Sequence, residues 1–99
     1  MTRETLGRSI KLCRTNQGLS QEGLAKKVKV SPSYISLIEK GERDLPMSMA
    51  EKIAEALGIP MSLLTFLAAE PRELKGVPED VRDKLAGIAF KLLNAKQHA

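Results

Sequence analysis

Residues 18–41 read GLSQEGLAKKVKVSPSYISLIEKG, and the reading of this stretch decides the fold. Its pattern predicts two short helices joined by a tight turn. One starts after Ser20 and ends near Val28; the other starts after Ser31 and ends near Lys40. Both serines suit an N-cap, because a serine oxygen accepts the orphan N–H groups of a first helical turn. Pro32 falls at the first position of the second helix, where its missing N–H costs nothing. Gly41 follows that helix, where a left-handed residue closes the last turn. Ile35 and Ile38 point one way, into a core. Ser33, Ser36, Leu37 and Lys40 recur at i, i+3, i+4 and i+7 and share another face, small, mostly polar and ending in a cation. An α-helix of this kind can enter the major groove of DNA, with short side chains near its N-terminus reaching base edges.

Composition narrows the alternatives. A chain of 99 residues suits one domain with a modest core and a short extension. No run approaches the ~20 apolar residues of a membrane span, and the opening MTRETLGRS lacks the apolar centre of a signal peptide. The single cysteine, Cys13, forms no internal disulfide, which fits a reducing cytoplasm. Tyr34, Phe66 and Phe90 are the only aromatic residues, too few for a base-stacking platform on single strands. Residues 1–40 carry eight basic and three acidic side chains, a net +5; residues 41–99 carry eight and nine, a net −1. Such a surplus can serve solubility alone, but here it coincides with the helix pair, where phosphates would lie.

No catalytic constellation, metal set or cofactor motif stands out. His98 sits beside the C-terminus, Cys13 lies on a core stripe, no second cysteine or useful histidine offers a zinc site, and no glycine-rich loop could cradle a phosphate. The sequence predicts a protein that is not an enzyme and carries no metal or cofactor.

The flanking chain reads as more helix. Residues 4–17 carry Leu6, Ile10 and Cys13 on one stripe, and residues 21–28 turn Leu24, Ala25 and Val28 inward. Residues 47–57 carry Met47, Ala50, Ile53, Ala54 and Leu57 on one side. Residues 60–69 are apolar nearly all round, so something must cover them. After a linker at 70–78, EPRELKGVP, a last helix spans 79–96 with Val81, Leu85, Ile88 and Leu92 in a stripe widened by Ala89 and Leu93. That stripe predicts packing on the fifth helix, within the chain or across a dimer, through Leu63, Leu64, Phe66, Leu67, Val81, Leu85, Ile88 and Leu92.

The blocks LSQEGLA (19–25), SPSYISLIEKG (31–41) and IAEALGI (53–59) resemble the helix-turn-helix domain of the phage repressor and Cro family, also called xenobiotic-response-element-like. The likeness covers residues 10–59, about half of the chain. It implies an all-α fold: a five-helix DNA-binding domain at 4–69 with a central helix-turn-helix, then at 70–99 a linker and a C-terminal amphipathic helix for packing or dimerisation. It implies a repressor of transcription that binds double-stranded DNA as a homodimer at a palindromic site. Pro32, Ser33, Ser36 and Leu37 occupy its base-reading positions, the plainer alternative for Leu37 being a fourth core residue. Gln21 would bond a phosphate and brace the start of the recognition helix, while Arg14 and Glu39 would form a partly buried ion pair. Lys29, Tyr34 (through its hydroxyl), Lys40 and Arg43 are candidate phosphate contacts. Lys29 stands where the family usually has glycine, Gly23 where it prefers a capping glutamate, and Asp44 and Leu45 where relatives are often more basic. A competing function is an antitoxin-type module whose last two helices bind another protein while the chain represses its own operon.

Overall fold

The computed structural model describes the backbone of residues 1–98 and the side chains of residues 1–70 and 72–91. The described residues are helical with no strand: α1 Arg3–Asn16, α2 Gln21–Val28, α3 Pro32–Glu39, α4 Met47–Leu57, α5 Met61–Ala68 and α6 Glu79–His98. Local chemistry sets several of these ends. The Thr2 hydroxyl accepts from the Thr5 N–H while the Thr5 hydroxyl accepts from the Thr2 N–H, a reciprocal cap that starts α1. Ser20 Oγ accepts from the Gly23 N–H at 2.9 Å, and Ser31 Oγ from the Tyr34 N–H at 3.1 Å. No capping box forms at α2.

Lys29 closes α2 in the left-handed region, at φ 61° and ψ 46°, and is the sole non-glycine residue with positive φ among the described residues. A β-carbon there costs on the order of 1 kcal/mol relative to glycine. The backbone still makes its turn, since the Val30 N–H donates to the Ala25 carbonyl at 3.0 Å.

Leu6, Ile10, Cys13, Leu24, Ile35, Ile38, Ile53, Leu57 and Leu64 meet in one core shared by α1 to α5. Within it α1 packs against α5 and α3, and α2 against α3 and α4. The end of α1 is pinned to the end of α4, as Gln17 Nε2 donates to the Leu57 carbonyl at 2.6 Å. Met47 departs from its predicted stripe. It is the first residue of α4 and 55% exposed, while Ala50, Ile53, Ala54 and Leu57 carry the buried face.

The apolar α5 is mostly accounted for within the chain. Leu64 and Ala68 are fully buried, and Leu63 and Leu67 are half-buried against the core. Leu64 is therefore a core residue of its own domain and has no surface left for a partner. The stretch that reads as a plain linker holds a 3-10 turn at Pro71–Leu74. Of the predicted α6 stripe, Ala89 alone is buried among the described side chains. Phe90 packs on the core, whereas Val81, Leu85 and Ile88 are 38%, 44% and 54% exposed. Leu92 and Leu93 lie outside the described side chains.

Cys13 has no exposed surface, and burial pushes its thiol from an ordinary 9.0 up to about 11. Because the fold favours the neutral thiol, this contribution to stability is complete below pH ~9 and fades as pH rises through about 11. The native protein is expected to resist a thiol-specific reagent at pH 8 and to react fully once urea unfolds it. Rapid labelling of the native state would show that α1 does not bury this stripe.

Candidate nucleic-acid interface

The helix-turn-helix is held by one buried polar network. Arg14 Nε donates to Glu39 Oε2 at 2.6 Å and Arg14 Nη2 to Glu39 Oε1 at 3.0 Å, a two-pronged pair with the residues 7% and 8% exposed. Arg14 Nη1 donates to the Leu19 carbonyl at 2.7 Å, in the bend that enters α2. Gln21 Nε2 completes the set, donating to Glu39 Oε1 at 3.0 Å. Gln21 thus reaches the last turn of α3, not its start. One carboxylate ties α1, α2 and α3 together, so the network fixes the direction of α3. A buried pair adds little net stability, since desolvation offsets much of the attraction.

With α3 so fixed, Ile35 and Ile38 face the core and the opposite side faces out. Pro32 and Ser33 are exposed, and Ser36 and Leu37 are half-buried. Leu37 is not among the residues packed on the core. It lines an open concavity with Val30, Ser33, Tyr34, Arg43 and Met49 beside this outward side of α3. Lys29, Lys40 and Arg43 are exposed, and Gln21 is half-buried at the start of α2. Arg43 lines this concavity, whereas Lys29 lines a separate one with Lys27, Lys52 and Glu55. The side chains of Pro32 and Leu37 offer a base no hydrogen bond but can contact a thymine methyl, while Ser33 and Ser36 can donate or accept.

Two features escape a reading of spacing alone. Gly7 sits where α1 crosses α3: a β-carbon on it would lie 2.2 Å from the Ile38 carbonyl oxygen and 3.0 Å from that of Glu39. A lone glycine inside a helix could have hinted at a close crossing. Arg43 lies over the Tyr34 ring, its Cζ 5.4 Å from the ring centroid. Next to it, Asp44 is engaged by Arg3 Nη1 at 3.0 Å, an exposed pair of little energetic weight.

Away from this surface, Leu63, Phe66, Leu85 and Ile88 line a shallow apolar groove between α5 and α6. Arg82 Nε is buried on the inner side of α6 with no hydrogen-bond partner among the described residues. No group of histidine, cysteine, aspartate and glutamate among the described residues could hold a metal ion, and no described helix is long and apolar enough to cross a membrane.

A helix held by such a network and presenting short side chains outward is the arrangement of a DNA-binding helix-turn-helix. The helix-turn-helix family profile matches residues 10–64. The chain belongs to this family of DNA-binding transcriptional regulators, among whose members are phage repressors. It is 38% identical over 89 residues to the immunity repressor protein of Bacillus phage phi105, covering 85% of this chain and 62% of that one. It is 32% identical over 79 residues to the transcriptional regulator RamB of Mycobacterium tuberculosis, 75% of this chain but only 17% of RamB's length. Among solved structures it resembles the clp gene regulator ClgR of Corynebacterium glutamicum, with a TM-score of 0.69, 26% identity and 89% of each chain covered.

Proposed function

We propose that this chain is a sequence-specific repressor that binds a palindromic operator in double-stranded DNA as a homodimer in the cytoplasm. The observation that carries the reading is the outward row Pro32, Ser33, Ser36 and Leu37 on a helix locked in place by the buried Arg14–Glu39–Gln21 network. These four would meet base edges. Gln21, Lys29, Lys40 and Arg43 would form the phosphate row around them, and Gln21 retains one amide hydrogen for that task. With no long bidentate reader on the face, shape and water would carry part of the specificity. The relatives named repressors and regulators support regulation of transcription, and occlusion of a promoter is its simplest form.

Duplex selection from a random pool, followed by titration at several salt concentrations, tests this. Ser33→Ala and Leu37→Ala are expected to relax preference at particular base pairs with the salt slope unchanged. Lys40→Ala and Arg43→Ala are expected to weaken all sequences alike, each lowering the slope by about 1. Equal affinity for selected and random duplexes would refute specific recognition.

The homodimer is supported by the exposure of Val81, Leu85 and Ile88 beside Leu63 and Phe66. Joined there, two copies would set their recognition helices about 34 Å apart, one turn of DNA. The same apolar groove supports the second reading, in which another protein docks on it as in an antitoxin. A purified chain of twice its 10.8 kDa mass that becomes monomeric with Leu85→Glu favours the homodimer. A monomer whose groove is filled only when a partner is co-expressed favours the alternative.

A further inference from the structure

We infer that Tyr34 serves the phosphate row through the face of its ring, as a positioning residue for Arg43, and not through its hydroxyl. The inference rests on the reading that Arg43 meets a DNA phosphate. Tyr34 is the better-anchored member of the pair. Its N–H is capped by Ser31 Oγ at 3.1 Å, it lies on α3, and its ring is half-buried against the core. Arg43 is exposed on the loop that follows α3, and it makes no ion pair among the described residues. Its guanidinium instead meets the ring, at 5.4 Å from Cζ to centroid. That distance lies within the ~6 Å reach of a cation–π contact. A guanidinium stacked on a ring keeps its edge N–H donors free, and those are the groups that recognise a phosphate in a planar fork.

Neither flanking acid, Glu42 or Asp44, forms an ion pair with this cation among the described residues. Asp44, one residue on, is drawn to Arg3 on α1. Leu37 and Met49 line the same open concavity as Tyr34 and Arg43. The loop cation is therefore pre-ordered at the margin of the recognition face before DNA arrives. Ordering a long side chain beforehand removes part of the entropy otherwise lost on binding.

A double-mutant cycle on a duplex selected by the wild-type protein tests this, read as Kd and salt slope, with thermal stability measured alongside. Tyr34→Leu is expected to weaken binding by about two- to fivefold per protomer, the population ratio that an exposed cation–π contact sustains. Tyr34→Phe, which keeps the ring and drops the hydroxyl, is expected to bind as the wild type does. In an Arg43→Ala background, Tyr34→Leu is expected to add no further loss. If Tyr34→Phe loses as much as Tyr34→Leu, the hydroxyl is the contact and the inference is overturned. Equal losses from Tyr34→Leu with and without Arg43 also overturn it, since the ring then acts on its own or through the fold. If Arg43→Ala leaves both Kd and slope unchanged, the phosphate reading of Arg43 itself fails, a result separable from the other two. The free protein gives an independent readout. The Arg43 Nε–Hε resonance is expected to carry a ring-current shift in the wild type and in Tyr34→Phe, and to lose it in Tyr34→Leu. The same resonance position in all three would show that no stack forms.

Discussion

Glu39→Ala is expected to cost about 3–5 kcal/mol of stability. The substitution leaves the Arg14 guanidinium, on a residue only 7% exposed, without the carboxylate that takes two of its N–H groups. It also frees Gln21 from α3. Against the ~5–15 kcal/mol that stabilises a domain of this size, this approaches outright unfolding. The melting temperature is expected to fall by at least about 12 °C. The cost arises from stranding one charge and not from losing a strong bond. A double variant with apolar residues, Arg14→Met with Glu39→Leu, is therefore expected to recover most of the loss. Urea titration followed by helical circular dichroism measures both. If the double variant were as unstable as the single one, the network would be a net source of stability. Recovered stability with lost DNA binding would mark its task as aiming α3.

Gly7→Ala is the second large effect, expected at about 3 kcal/mol or more. The added β-carbon would sit 2.2 Å from the Ile38 carbonyl oxygen, a backbone atom with no rotamer to escape into. Overpacking a fitted site commonly costs ~1–3 kcal/mol, and a clash with main chain belongs at the upper end. Relief requires α1 and α3 to part, which would also stretch the Arg14–Glu39 pair further along α1. Gly41 sits beside the same crossing at φ 75°, where a β-carbon would lie 2.9 Å from Glu4 Cα. Gly87 provides the control. It lies inside α6 with nothing within 4 Å of the place a β-carbon would take, so Gly87→Ala is expected to be neutral or to stabilise by up to about 1 kcal/mol. Equal tolerance at Gly7 and Gly87 would mean that α1 and α3 do not cross as closely as they do here.

The helices are legible in the sequence to within a residue or two because their signals are local. A serine before the first turn, a proline at its first position and apolar residues three and four apart act over distances that the chain itself fixes. Lys29 is the opposite case: a lysine gives no local sign of a left-handed backbone, and only the family likeness, with its usual glycine there, points to it. The family likeness adds the Arg14–Glu39 pairing, which residue spacing alone does not contain.

Other features lie beyond reach for one reason. The apolar run of α5 groups Leu64 with residues free to form a surface, yet the structure places it in the core with Ile10, Ile53 and Leu57, because which side of an all-apolar helix is covered depends on its neighbours. Gln21 turns to the far end of α3, a choice set by where Glu39 arrives and not by Gln21's own place in α2. The α6 stripe is apolar as its spacing predicts, but of its described side chains only Ala89 is buried, with Phe90 beside it packed on the core, because which part of a broad apolar face is covered depends on its neighbours.

By itself, then, the sequence determined six helical segments to within a residue or two, the serine caps of α2 and α3, and the basic bias of the first 40 residues. Only the tertiary structure decided how closely α1 and α3 approach, where the Gln21 amide goes, and which aliphatic residues of α5 and α6 stay uncovered. The division follows from range. Capping and periodicity act between residues a few positions apart, whereas the Gly7–Ile38 approach, the Gln21–Glu39 bond and the seat of α6 join residues that meet only after the whole core has closed.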